Sequence, residues 1–152
     1  VSGSGQYIVT GSLGTDREVN VWTFEGQKIA TIQKNFNHCY KAIFSPDDQW
    51  LLTYSGEQMG LFRVSDWGRA WQMDYSQAVY PFAGFAPDSR LFLADRSGKL
   101  EWLNASSQEV TREYMLGSIA AFDFSPDGTE IVVARPNGVI EVLHTGLSPV
   151  NP

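Results

Sequence analysis

The feature that most constrains this chain is a turn written three times. Phe44 opens "FSPDDQW", Phe85 opens "FAPDSRL" and Phe124 opens "FSPDGTE". The first two lie 41 residues apart and the next two 39. A second marker keeps time separately: Trp22, Phe62, Trp102 and Val142 recur every 40 residues, in "VNVWTF", "MGLFRV", "KLEWLN" and "VIEVLH". A unit copied at a fixed period builds an array in which each copy shelters its apolar side against its neighbour.

A period near 40 suits either helical pairs or four-stranded antiparallel units. The segments between turn signals decide between them. "YIVTGS" (7–12), "KIATIQ" (28–33), "QWLLTYS" (49–55), "RLFLAD" (90–95) and "EIVVAR" (130–135) alternate with period two and are rich in β-branched and aromatic residues. None carries a helical stripe. Ser125-Pro126-Asp127-Gly128 fits a type I turn: Pro126 presets φ, Ser125 bonds back to the backbone, and Gly128 suits the last position. "RSG" at 96–98 and "PNG" at 136–138 close tighter hairpins. The expectation is an all-β segment over residues 1–152, with units at about 1–36, 37–76, 77–117 and 118–152. With strands lettered a to d in each unit, the first lacks strand a and the fourth lacks strand d. Pro81 falls in the third strand a and, having no N–H, belongs on a sheet edge.

These residues resemble the WD-repeat family of β-propellers, and the resemblance covers nearly the whole chain. The "FSPDG" turn, with its markers Phe44, Pro46, Phe85, Pro87, Phe124, Pro126 and Gly128, carries it together with Trp22 and Trp102 near the end of strand c. "GQYIVTGS" followed by "VNVWTFEGQKIATI" is similar to repeats common in bacterial WD-repeat proteins. The resemblance implies a β-propeller of about four four-stranded blades, as a partial ring or half-propeller. The departures are specific. The family's Asp after the strand-c Trp is replaced by Thr23, Arg63, Leu103 and Leu143, and its Gly-His pair before strand a is absent. Of the polar tetrad the family uses to brace a blade, only Asp16 and Trp22, with Thr10 or Ser12, keep the pattern. Apolar packing must replace the rest. Three assemblies remain open: a stretch of a longer propeller, a half-ring paired with another copy, or a small closed ring. The start at Val1 without Met favours the first.

Charge and composition narrow the function classes. A net charge of −6, with 11 scattered Lys and Arg, argues against a nucleic-acid partner. No apolar run of about 20 residues exists to span a membrane, and no secretory leader is visible. Cys39 is the only cysteine, so no internal disulfide forms and a reduced, cytoplasmic setting is expected. "NAS" at 104–106 matches a glycosylation acceptor, although a polar turn explains it better.

Chemical constellations are sparse. His38 and His144 sit in different units, and no Cys-x-x-Cys or His-x-x-x-His occurs, so no metal site is expected. No nucleophile elbow or phosphate-cradling glycine loop precedes a helix, so no catalytic or cofactor residue is assigned. Asp47 and Asp48 read as turn residues rather than a calcium pair, and Asp123 as a polar residue facing the channel. Trp50 and Phe92 read as blade core, while Trp67 and Trp71 flank a turn where an interface role is open. Binding in such a fold uses loops at one end of the channel. The b–c and d–a loops hold Arg17, Phe36, His38, Glu57, Gln58, Tyr80, Arg96 and Arg135, and Arg and aromatic residues are favoured interface anchors. The expected function is a non-catalytic scaffold or recognition module for a protein or peptide partner, with further blades of the same chain or of another copy among its contacts. The alternatives are a sensor or regulatory segment of a larger multidomain bacterial protein, and an enzyme with a channel-mouth site.

Overall fold

The computed structural model describes residues 1–12, 18–33, 41–54, 58–74 and 82–145. Within them it contains 14 strands and no helix. The chain divides into two compact units, Val1–Ala78 and Val79–Pro152. The first unit holds a three-stranded sheet, β1 (Tyr7–Gly11), β2 (Val19–Thr23) and β3 (Lys28–Gln33), and a four-stranded sheet, β4 (Lys41–Phe44), β5 (Trp50–Tyr54), β6 (Gln58–Arg63) and β7 (Arg69–Asp74). The second unit holds β8 (Phe82–Phe85), β9 (Leu91–Ala94), β10 (Lys99–Leu103) and β11 (Val110–Met115), then a three-stranded sheet of β12 (Ala121–Phe124), β13 (Glu130–Ala134) and β14 (Ile140–His144). Every sheet runs in chain order with antiparallel neighbours. Pro81, Asp16 and Cys39 lie outside the described residues.

The repeated turn explains this regularity. Ser45 N–H donates to the Trp50 carbonyl and Asp48 N–H to the Ser45 carbonyl, each at 2.9 Å. Trp50 N–H then returns to Ser45 Oγ at 2.9 Å. Ser125 makes the same three bonds with Glu130 and Gly128. The third copy, starting at Ala86, has no hydroxyl and closes one residue sooner, on Arg90. A fourth copy stands at Ser2, with the same donors to Tyr7 and from Gly5 and with Tyr7 N–H on Ser2 Oγ at 3.0 Å. In all four the residue three after the first takes a left-handed conformation: Gly5 (φ 71°), Asp48 (54°), Ser89 (66°) and Gly128 (72°). Such a residue after a type I turn lets two strands rejoin with a one-residue bulge. The copy at Ser2 has Gly3 where Pro46, Pro87 and Pro126 stand in the others, so the repeated Pro-Asp pattern does not mark it. Its signal was Ser2 with Gly5 three residues on, just before an apolar strand.

Register also redefines which residues correspond. Ile8, Leu51, Leu91 and Ile131 each follow the turn at the same point, and they pair with Trp22, Phe62, Leu103 and Leu143. Trp102 and Val142 pair one step away, with Phe92 and Val132. Successive strand residues face opposite sides, so Trp102 points to the other face of its sheet than Trp22 and Phe62 do. The span from Leu91 to Leu103 is one residue longer than that from Leu51 to Phe62, so the counterpart of Phe62 is Leu103 and not Trp102.

In the second unit this places one face of the third sheet against the fourth. Phe92, Leu100 and Trp102 join Ile131 and Val133 in one buried cluster, with Phe122, Phe124 and Leu143 packed at its margin. Trp102 and Phe124 ring centres are 5.7 Å apart, and Phe92 lies 5.4 Å from both Phe122 and Phe124. Each such aromatic pair adds about 0.5–1.5 kcal/mol to plain area burial. In the first unit, Tyr7 meets Trp67 edge to face at 5.0 Å, and the Asp48 carboxylate accepts the Gly3 and Ser4 N–H groups at 2.7 Å each. Asp48 is therefore a turn residue that also ties two neighbouring turns together. Trp71, which the turn left open for an interface, is only 8% exposed and belongs to the core; Trp67 is half-buried.

Candidate functional site

A cluster of loops lies at one end of the second unit. It joins the β9–β10 turn, the β13–β14 turn and the segment from Leu116 to Ala120 between β11 and β12. Both turns are alike: Asp95 N–H donates to the Lys99 carbonyl at 3.1 Å, and Arg135 N–H to the Val139 carbonyl at 2.8 Å. Gly98 (φ 85°) and Gly138 (φ 86°) supply the left-handed residue. Asp95 Oδ1 caps its turn by accepting from Ser97 Oγ (2.7 Å) and Lys99 N (3.0 Å). Desolvation alone would raise that carboxyl, but these donors together hold it below the ordinary range.

The connecting segment is pinned to both turns. Leu116 N–H donates to the Gly98 carbonyl at 2.7 Å and Ile119 N–H to the Arg96 carbonyl at 3.1 Å. Gly98 meets Gly117 so closely that a Cβ on Gly98 would stand 1.9 Å from the Gly117 carbonyl oxygen. From the other side the Arg135 guanidinium donates to the carbonyls of Leu116 and Ser118 (3.2 Å for Ser118) and grips Glu141, with Nε at 3.0 Å. Beside it lies an open depression of about 520 Å³ lined by Gly117, Ser118, Pro136 and Val139. On the adjoining strands, Lys99 Nζ sits between Glu101 (2.5 Å) and Glu113 (2.9 Å). Those bonds raise the ammonium pKa and lower that of Glu113.

Of the residues expected at the loops, the structure describes three. Arg96 is exposed at the tip of the β9–β10 turn. Arg135 is only 18% exposed through its side chain, and its guanidinium is engaged in the bracing just described. Gln58 starts β6 and is half-buried. Arg17, Phe36, His38, Glu57 and Tyr80 lie outside the described residues. Sequence reading missed Gly117 and Glu141, although the Arg–Glu spacing across "RPNGVIE" is a readable hairpin pair. Among the described residues no three His, Cys, Asp or Glu side chains come together to hold a metal. Asp123 is exposed and accepts the Phe124 N–H at 2.8 Å. Asn104 is exposed, and its Oδ1 accepts the N–H groups of Ser106 (2.8 Å) and Ser107 (3.1 Å), as a turn cap does. No helix of the described residues is long and apolar enough to cross a membrane.

No family model and no curated protein matches the sequence. A solved structure does match: the crystal structure of the C-terminal WD40 domain of Sif2, with a TM-score of 0.73 over 95% of this chain at 16% identity. The fold is a WD40-type β-propeller. The chain spans 42% of the length of that solved structure, and at this identity the likeness concerns the fold.

Two features of the WD40 pattern are then legible in atoms. Trp22 Nε1 donates to Thr10 Oγ1 at 2.8 Å, which selects Thr10 over Ser12 as the strand-b partner. Trp102 Nε1, by contrast, is buried with no hydrogen-bond partner. Trp102 faces the apolar cluster, and its strand-b neighbour β9, Leu-Phe-Leu-Ala, offers no hydroxyl on either face. The Arg90 guanidinium stacks over its ring at 4.7 Å instead.

Proposed function

We propose that this chain is a non-catalytic protein-interaction scaffold that presents braced loops to a protein or peptide partner. The observation that carries the proposal is the triple anchoring of the Leu116–Ala120 segment, by Gly98, by Arg96 and by the Arg135 guanidinium. Loops already fixed before binding lose little conformational freedom on association, so modest contacts suffice for affinity. In this reading Arg96 is the contact residue and Arg135 holds the platform beneath it. Arg17, Phe36, His38 and Tyr80 are proposed as further contacts on the corresponding loops.

Selection of short peptides from a random library on the immobilised chain tests this. The expected result is a set of binders whose affinity falls at least about tenfold, or about 1.4 kcal/mol, in Arg96→Ala with the fold intact. Failure to select any binder, or binders indifferent to substitution at all of these loops, would sink the proposal.

A further inference from the structure

The fourth sheet leaves one apolar face uncovered, and the third sheet indicates what belongs there. On the third sheet the face formed by Phe92, Leu100 and Trp102 is buried against Ile131 and Val133 of the fourth. The register-equivalent positions on the fourth sheet are Val132, Ile140 and Val142. They are equally apolar, yet 41%, 70% and 57% exposed. Single exposed apolar residues are ordinary, but three adjacent across two paired strands make a patch of the kind that marks an interface.

The kind of surface that covers such a face is also defined. It is the side of a sheet carrying the positions of Ile131, Val133 and Leu143. On the first sheet those positions are Ile8, Thr10 and Trp22, with Thr10 exposed and Ile8 and Trp22 half-buried. The chain thus carries an exposed counterpart of one half of the contact between its third and fourth sheets, and a partly exposed counterpart of the other.

We propose that the Val132–Ile140–Val142 face docks onto the Ile8–Thr10–Trp22 face of a second copy, repeating the packing of the fourth sheet on the third. The two faces differ, so the contact is heterologous; it makes a closed ring where the rotation allows and an open chain where it does not.

Sedimentation velocity of the full 152-residue chain, from about 1 to 200 μM, tests the proposal. The mass rises with concentration to two copies or more, and Val142→Glu weakens association at least about tenfold. Ile140→Lys, at the most exposed of the three positions, does the same and guards against a fold defect in the first variant. Thr10→Glu abolishes self-association from the other side, while an equimolar mixture of Thr10→Glu and Val142→Glu recovers a dimer, each variant supplying the intact half. A monomer across the whole range, as expected if other blades cover the face, overturns the proposal. So does assembly that persists in folded Val142→Glu and Ile140→Lys, or a mixture that stays monomeric.

Discussion

Replacing Gly98 with Ala strikes the closest approach in the loop cluster, and Gly138 provides an internal control. Both glycines occupy the same position of the same turn, with φ of 85° and 86°. An L-residue there costs about 1–2 kcal/mol, less some 0.4–1 kcal/mol returned by a stiffer unfolded chain. At Gly138 nothing lies within 4 Å of the added Cβ, so Gly138→Ala should lose about 1 kcal/mol and no more. At Gly98 the methyl meets the Gly117 backbone at 1.9 Å for O and 2.6 Å for C. Backbone has no rotamer with which to retreat, and overpacking of this kind costs a further ~1–3 kcal/mol. Gly98→Ala should therefore lose about 2–4 kcal/mol. Urea unfolding followed by tryptophan fluorescence reads both. With a slope of about 2 kcal/mol/M the midpoint falls by ~0.5 M for Gly138→Ala and by 1 M or more for Gly98→Ala. Equal midpoints would show that the Gly98–Gly117 contact does not exist in solution and that the loop platform is not braced as described.

Three further outcomes follow from the same geometry. Arg135→Ala frees the Leu116 and Ser118 carbonyls and should cost about 2 kcal/mol in urea unfolding, with Arg135→Lys recovering less than half because an ammonium lacks the planar fork. Acid unfolding should be shallower in Asp48→Asn than in the parent: the Ser4 and Gly3 donors outweigh desolvation and hold the Asp48 carboxyl below its ordinary value, so its stabilisation is complete above about pH 5 and is lost as pH falls through the depressed folded value. A parallel loss in parent and variant between about pH 5 and pH 2 would contradict this. Trp102→Ala should cost about 3–5 kcal/mol, whereas Trp102→Phe should cost under about 2, since it removes an orphaned donor along with some apolar area; comparable losses by thermal or urea unfolding would mean that the indole N–H has a partner after all.

The sequence showed the fold more fully than it showed the site. Period-two alternation and the Ser-Pro-Asp turn are local signals, and they placed the strands, since strand register grows out of the turn that precedes it. The Ser2 copy escaped because its left-handed residue is announced by Gly5 alone, without Pro. The Trp102 register escaped for a different reason: a 40-residue spacing counts residues, whereas facing depends on parity, and the β9–β10 hairpin, one residue longer than β5–β6, moves Trp102 to the other face. At the loops, Arg96 and Arg135 look equivalent in sequence, each beside a Gly-containing hairpin. Only the fold separates them, because the Leu116–Ser118 carbonyls and Glu141 that engage Arg135 come from other elements.

The claim on which the rest depends is that one face of the third sheet packs on the Phe122–Phe124 side of the fourth, in the register set by the repeated turn. Nuclear Overhauser contacts from the Trp102 indole measure it most directly. They should run to the Phe124 ring, 5.7 Å away between centres, and to Ile131 and Val133 in the same cluster. Contacts to Val132 and Val142 in place of these would put the opposite face inward and contradict the packing.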